Sequence, residues 1–142
     1  MEKRIMGNKK IICDTNIFIQ VLSGDEKAIF SVEFIKHENI LMTSITALEL
    51  CKGASSKKEM KAISSFINLY PILPLNKKSS LLAIELLKKY SPSHNLGLAD
   101  SLIASVSITE SIELFTLNVK DFDYIKGLKL YYPPNMSNIK RK

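Results

Sequence analysis

The chain has 142 residues, the length of one ordinary domain, and can fold without a disulfide or a structural metal. Hydrophobic residues make up 46% and charged residues 24%, which excludes a wholly disordered or collagen-like chain, and no apolar run approaches the ~18 residues of a membrane-spanning helix. A formal net charge of +6 favours a polyanionic partner through counterion release, a signal that gains weight only if acidic residues cluster inside the basic surface.

In chain order, residues 1–9 read as a flexible lead-in without the pattern of a secretory signal, and Met6 is an alternative start. Lys10 to Cys13 is a short buried strand, stopped by Asp14-Thr15-Asn16. A short helix over Ile17–Leu22 breaks at Ser23-Gly24-Asp25, and Asp25 caps a helix from Glu26 to His37. Ile40-Leu41-Met42 is a second strand, followed by a helix from Ser44 that sets Ile45, Leu48 and Lys52 on one line. Ser56–Asn68 is an amphipathic helix carrying Met60, Ile63, Phe66 and Ile67. Ile72-Leu73 is a short extended segment between prolines, and Asn76 caps a helix over Lys77–Tyr90.

Ser91-Pro92-Ser93-His94-Asn95 reads as a turn-rich loop. The helix Leu98–Thr109 follows, with Ala99, Leu102, Ile103 and Val106 on its apolar face. Glu113–Thr116 is a strand, Asp121–Lys126 a short turn or helix, and Leu128–Tyr131 a last strand. Residues 134–142 are a polar, basic tail, expected to be disordered. Short strands alternating with helices predict an α/β fold with a mostly parallel sheet, whose sites form at the carboxyl ends of the strands. Cys13 and Cys51 read as buried or half-buried thiols of a reducing, cytoplasmic compartment. His37 and His94 lack ligand spacing and read as ordinary histidines.

Four acidic residues fall where such a fold builds its site. Asp14 directly follows the first strand; read alone, it is equally a helix cap. Glu49 borders the apolar line of Ile45 and Leu48, where a carboxylate needs a partner. Asp100 stands in the first turn of its helix, favoured there by the helix dipole, in a run that is otherwise small and apolar. Asp121 follows the Glu113–Thr116 strand, with Asp123 a competitor for the same role. Clustered carboxylates repel one another, so the set makes physical sense as a cation site, and all-oxygen ligation suits Mg²⁺ or Mn²⁺ better than zinc.

The stretches Ile11–Ile19, Thr43–Leu50, Leu98–Ala104 and Thr116–Phe122 resemble, in order, the four motifs of PIN-domain nucleases. The likeness runs from about residue 10 to 133, nearly the whole chain, and extends to the small VapC toxins of type II toxin–antitoxin systems. It implies a three-layer α/β/α fold around a parallel five-stranded sheet of order 3-2-1-4-5. It further implies a pocket of Asp14, Glu49, Asp100 and Asp121, supported by Asn16, Thr116 and Asn118, that holds Mg²⁺ or Mn²⁺ and cleaves RNA phosphodiester bonds to leave 5′-phosphate and 3′-hydroxyl ends. Expected partners are the RNA substrate, a cognate antitoxin protein and a second copy of the chain in a homodimer.

Lys10, Lys52 and Lys120 are candidates for backbone contacts by nearness in sequence, and apolar residues over Ile17–Phe34 and Met60–Ile67 are candidates for docking or for core packing. Three other readings stay open at this point. One is a phosphatase or phosphotransferase with Asp14 as nucleophile, although Asn16 stands where a second aspartate is usual. The others are a silent RNA- or partner-binding module and an RNA-processing nuclease without a toxin role.

Overall fold

A computed structural model describes residues 9–134; the lead-in apart from Lys9, Met6 included, and all but the first residue of the basic tail lie outside them. Three short strands make the centre: β1 (Ile11–Cys13), β2 (Ile40–Thr43) and β4 (Glu113–Phe115), with β3 (Ile72–Leu73) at one edge. All pair in parallel, in the order β3-β2-β1-β4. β1 aligns Ile11 with Ile40 on one side and with Glu113 on the other, so the central strands start and stop nearly level.

Successive side chains of a strand leave on opposite faces, and here both faces are apolar. Ile11, Cys13, Ile40, Met42 and Phe115 join one core with Ile17, Phe18, Val32 and Ile35. These come from α1 (Thr15–Leu22) and α2 (Glu26–Ile35). Ile12, Leu41 and Leu114 join a second core with Leu86, Tyr90, Ile103 and Val106, which belong to α5 (Lys77–His94) and α6 (Leu98–Glu110). The result is the expected three-layer sandwich. Each fully buried branched side chain in it contributes about 1.5–3 kcal/mol, and a charge at Ile12 would break the second core. α3 (Ser44–Lys52) and α4 (Lys57–Ile67) close one end.

The helix starts follow the capping chemistry of the sequence. Asp25 accepts from the Ala28 N–H at 2.9 Å, and Asn76 and Ser79 form a reciprocal capping box. Three features differ from the sequence reading. The fifth strand reduces to a single parallel bridge between Leu114 and Leu130, flanked by Leu114 N–H to Lys129 O and Tyr131 N–H to Leu114 O. Gly127, at φ +91°, turns the chain into this edge, leaving little length for more pairs.

α5 runs on through Pro92 to His94, where a loop was expected. Proline's fixed φ is helical, and the turn is closed behind it by Asn95 in the left-handed region (φ 57°), whose N–H donates to Ser91 O at 2.9 Å. α2 stops at Ile35 with a tighter turn over His37–Asn39 after Lys36 takes φ 85°. Among the described residues no helix is long and apolar enough to cross a membrane.

Candidate active site

Because the strands are parallel and level, the chain leaves β1, β2 and β4 at one edge, and the polar residues that follow meet there. Asp14 is the hinge of the arrangement. Its backbone N–H continues the ladder to Phe115 O at 2.8 Å, which holds it in the last sheet position. It is also the N-cap of α1, so the cap reading and the site reading describe one residue. Oδ1 accepts from the Thr15 N–H at 2.8 Å, and Oδ2 accepts from the Thr116 hydroxyl at 2.7 Å. The residue is only 5% exposed. Burial raises its pKa above the ordinary carboxylate value, the Thr116 and Thr15 bonds oppose that rise, and the charges of Glu49 and Asp121 add to it.

Thr116 is the junction of the β4 side. Its Oγ donates its proton to Asp14 and accepts from the Asn118 N–H at 3.0 Å and from Asn16 Nδ2 at 3.4 Å. Asn16 Oδ1 accepts in turn from the Leu117 N–H at 3.2 Å. The side chain of Asn16 therefore ties the start of α1 to the segment after β4, and Asn118 enters through its backbone.

On the β2 side the structure adds two residues that sequence reasoning missed. Thr15 Oγ1 donates to Glu49 Oε1 at 2.6 Å and lies 2.8 Å from Thr46 Oγ1. Glu49 as carboxylate can only accept, so the Thr15 proton goes to it and the Thr46 hydroxyl donates to Thr15. Thr46 is fully buried and one helical turn before Glu49, a spacing that could have served as a signal. Glu49 itself is exposed, as is Leu48; the apolar line expected beneath it holds only for Ile45, because the helix turns Leu48 outward.

Asp100 is half-buried in the first turn of α6, behind an N-cap glycine that offers no side-chain bond. Its pKa is raised to about 6, first by burial and then by the charges of Asp14, Asp121 and Glu49. Asp121, exposed, ends a tight turn over Val119–Asp121. The charges felt by Asp14 and Asp100 place Asp14, Glu49, Asp100 and Asp121 in one electrostatic neighbourhood, while Asp123 acts on Tyr124. None of the four forms an ion pair with a lysine or arginine among the described residues.

Lys52 lines an open groove with Glu49, Leu98 and Leu102, and Lys120 lines a cavity of about 480 Å³ with Thr116, Asn118 and Asp121. Lys10 is elsewhere. β1 carries it ~13 Å from Asp14 to the opposite edge of the sheet, where its Nζ donates to Glu38 O at 3.0 Å. Nearness in sequence misled because a strand separates its two ends. Cys13 is fully buried, and burial pushes its thiol up, so it is inert packing.

The donor chemistry of this site is all oxygen. Among the described residues no three His, Cys, Asp or Glu side chains are gathered tightly enough to grip an ion as they stand. The fit to a divalent cation rests on four carboxylates, of which Asp14 and Asp100 feel the charges of the others, with no ion pair to a lysine or arginine among the described residues. Such a set lowers its own electrostatic cost by taking up a hard cation.

Comparison with known proteins finds relatives over most of the chain. Two curated relatives are 29% identical: Ribonuclease VapC1 of Rickettsia felis over 84% of this chain and 93% of its own length, and Ribonuclease VapC1 of Methanocaldococcus jannaschii over 86% and 87%. Among solved structures, a toxin–antitoxin complex from Klebsiella pneumoniae contains a chain that superposes with a TM-score of 0.72 at 25% identity, covering 87% of this chain and 99% of that one. The model of the PIN domain matches residues 11–128, from the first residue of β1 to the edge segment beyond Gly127. With the match spanning every strand and each of the four carboxylates, the chain belongs to the PIN-domain family.

Proposed function

We propose that the protein is a divalent-cation-dependent endoribonuclease, the toxin of a toxin–antitoxin pair, acting in the cytoplasm. The observation that carries this reading is the group of four carboxylates, unpaired among the described residues, at the carboxyl edge of a parallel sheet in a chain of net charge +6. A bound cation would offset the repulsion between these acids and a polyanion drawn in by the rest of the surface. Asp14, Asp100 and Asp121, with Glu49 beside them, would hold Mg²⁺ or Mn²⁺, which when bound supplies positive charge to a phosphodiester and to the water that attacks it.

The chain's own residues do the rest. Thr116 and the Thr15 N–H fix both oxygens of Asp14 and oppose the rise in its pKa that burial causes. Thr15, backed by Thr46, fixes Glu49. Lys52 and Lys120 flank the acids and offer charge to the RNA backbone on either side. Hydrolysis adds water to phosphorus and breaks its bond to the 3′ oxygen, leaving a 5′-phosphate and a 3′-hydroxyl. The names of the two VapC1 relatives support the ribonuclease reading.

The antitoxin reading draws on the toxin–antitoxin complex among the structural relatives. It also draws on an exposed apolar strip over Ile19, Leu22, Phe30 and Phe34, in which the two phenylalanine rings stack with centroids 6.5 Å apart. The same exposed side chains are available to a second copy of the chain.

The test is cleavage of labelled RNA by purified protein in Mg²⁺ or Mn²⁺ against EDTA, beside Asp14→Asn and Asp100→Asn. Cutting should require the cation and fall on the order of a hundredfold or more in each variant. Full activity in either variant, or in EDTA, would sink the mechanism.

A further inference from the structure

The extra turn of α5 beyond Tyr90 has a consequence at the lip of the acidic site. It lays the His94 ring parallel on the Tyr124 ring, with centroids 4.0 Å apart and planes 9° from parallel. Tyr90 packs edge-on against both, at 5.2 Å from Tyr124 and 5.9 Å from His94. The pair is held from behind: Tyr90 Oη accepts from the Lys126 N–H at 3.1 Å, and Ser93 Oγ lies 2.7 Å from His94 Nδ1.

Tyr124 is half-buried, but His94 is exposed, so the stack presents its outer ring to solvent. Tyr124 follows Asp121 by three residues, and the charges of Asp100, Asp121 and Asp123 add to burial in raising its hydroxyl pKa, which sets the rings beside the acids. Lys89 lies on the same lip, its Nζ 5.4 Å from the Tyr90 ring centroid.

An exposed, prefixed aromatic face next to a phosphate-cutting site has a specific use. Unpaired bases stack on aromatic side chains whatever their sequence, whereas bases within a duplex are covered by their neighbours. Rings already fixed in place lose little freedom when a base arrives. A role in the core would instead bury the imidazole.

We propose that the His94–Tyr124 stack is a platform for one unpaired nucleobase of the RNA strand beside the scissile phosphate. The proposal rests on the ribonuclease reading above and deepens it.

The test measures binding in EDTA at low salt, so that it does not depend on cleavage. Single-stranded oligoribonucleotides of about 12 nucleotides, each with 2-aminopurine at one position, are titrated with the full chain, His94→Ala, His94→Gln and His94→Phe. In at least one oligonucleotide the fluorescence should be quenched by wild type and by His94→Phe. His94→Ala and His94→Gln should lose that quenching and bind about tenfold more weakly. In Mg²⁺ the same two variants should raise KM with kcat retained.

Absence of quenching by wild type, equal affinity of wild type for duplex RNA, or a phenylalanine variant no better than alanine would overturn the platform. Ring-dependent quenching by a chain that cleaves no RNA would keep the platform and sink the nuclease reading. Cation-dependent cleavage without ring dependence would do the reverse.

Discussion

At the amino-terminal edge of the sheet, Lys9 meets Glu113 at 2.7 Å and Lys10 donates to Glu38 O. At the carboxyl edge, Asp14, Glu49, Asp100 and Asp121 lie in one electrostatic neighbourhood and pair with no lysine or arginine among the described residues. Both edges border a cavity, about 340 Å³ between Lys9, Lys10 and Lys129 and about 480 Å³ beside Thr116 and Asp121. Cavity size therefore does not separate them; charge compensation does. One edge holds an ion pair, Lys9 with Glu113, and gives Lys10 a carbonyl acceptor, while the acids of the other have no such ion pair among the described residues. A cleft holding perturbed acids without an ion pair is a candidate for chemistry, whereas an exposed ion pair contributes little.

The largest break in this contrast should come from Thr116. Thr116→Val removes the donor that holds Asp14 Oδ2 and leaves a buried carboxylate oxygen without a partner. Cleavage should fall about 10- to 100-fold, as for the loss of a group that orients a ligand, and stability by about 1–3 kcal/mol. Thr116→Ser should recover most of both. Rates and denaturant melts that leave Thr116→Val unchanged would mean that Asp14 is oriented by its cap bond alone.

A smaller effect should appear in stability against pH. Asp100 has a folded pKa of about 6 against an ordinary 3.8, so the folded state binds more protons between those values. Stability from this group then falls as pH rises from about 4 to about 6 and stays low above, and Asp14, also raised, acts in the same direction. A cation bound by the carboxylates offsets that loss. Thermal melts should show Mg²⁺ or Mn²⁺ stabilising the protein more at pH 7 than at pH 5, relative to EDTA. An equal shift at both values would argue against cation uptake by these groups.

The smallest effect belongs to the other edge. Lys9→Met or Glu113→Gln breaks a partly exposed pair and should cost less than about 1 kcal/mol, with cleavage unchanged. A large loss of activity from either would erase the distinction between the edges.

Much of the molecule is legible in its amino-acid order. Asp25, Asn76 and Asp14 announce helix starts because a short polar side chain satisfies free N–H groups locally. The runs Ile11–Cys13, Ile40–Thr43 and Glu113–Phe115 announce strands buried on both faces, and an acid just past a parallel strand announces the edge where it will sit. The sequence by itself thus determined the fold class, the order of the elements and the place of each of the four carboxylates at a strand or helix end, since each depends on a residue and its near neighbours along the chain.

What tertiary structure decided is which distant residues meet. The Thr15–Glu49 and Asp14–Thr116 bonds span 34 and 102 residues. The removal of Lys10 to the far edge, the outward turn of Leu48 and the shrinkage of the last strand to one bridge likewise follow from how elements pack. The helical turn through Pro92 is the clearest case. Its local signals are those of a loop, yet Asn95 closes a helix there, and His94 comes to rest on a tyrosine 30 residues later. Stacking and hydrogen bonds between segments outweigh a weak local preference, and no window of sequence contains both partners.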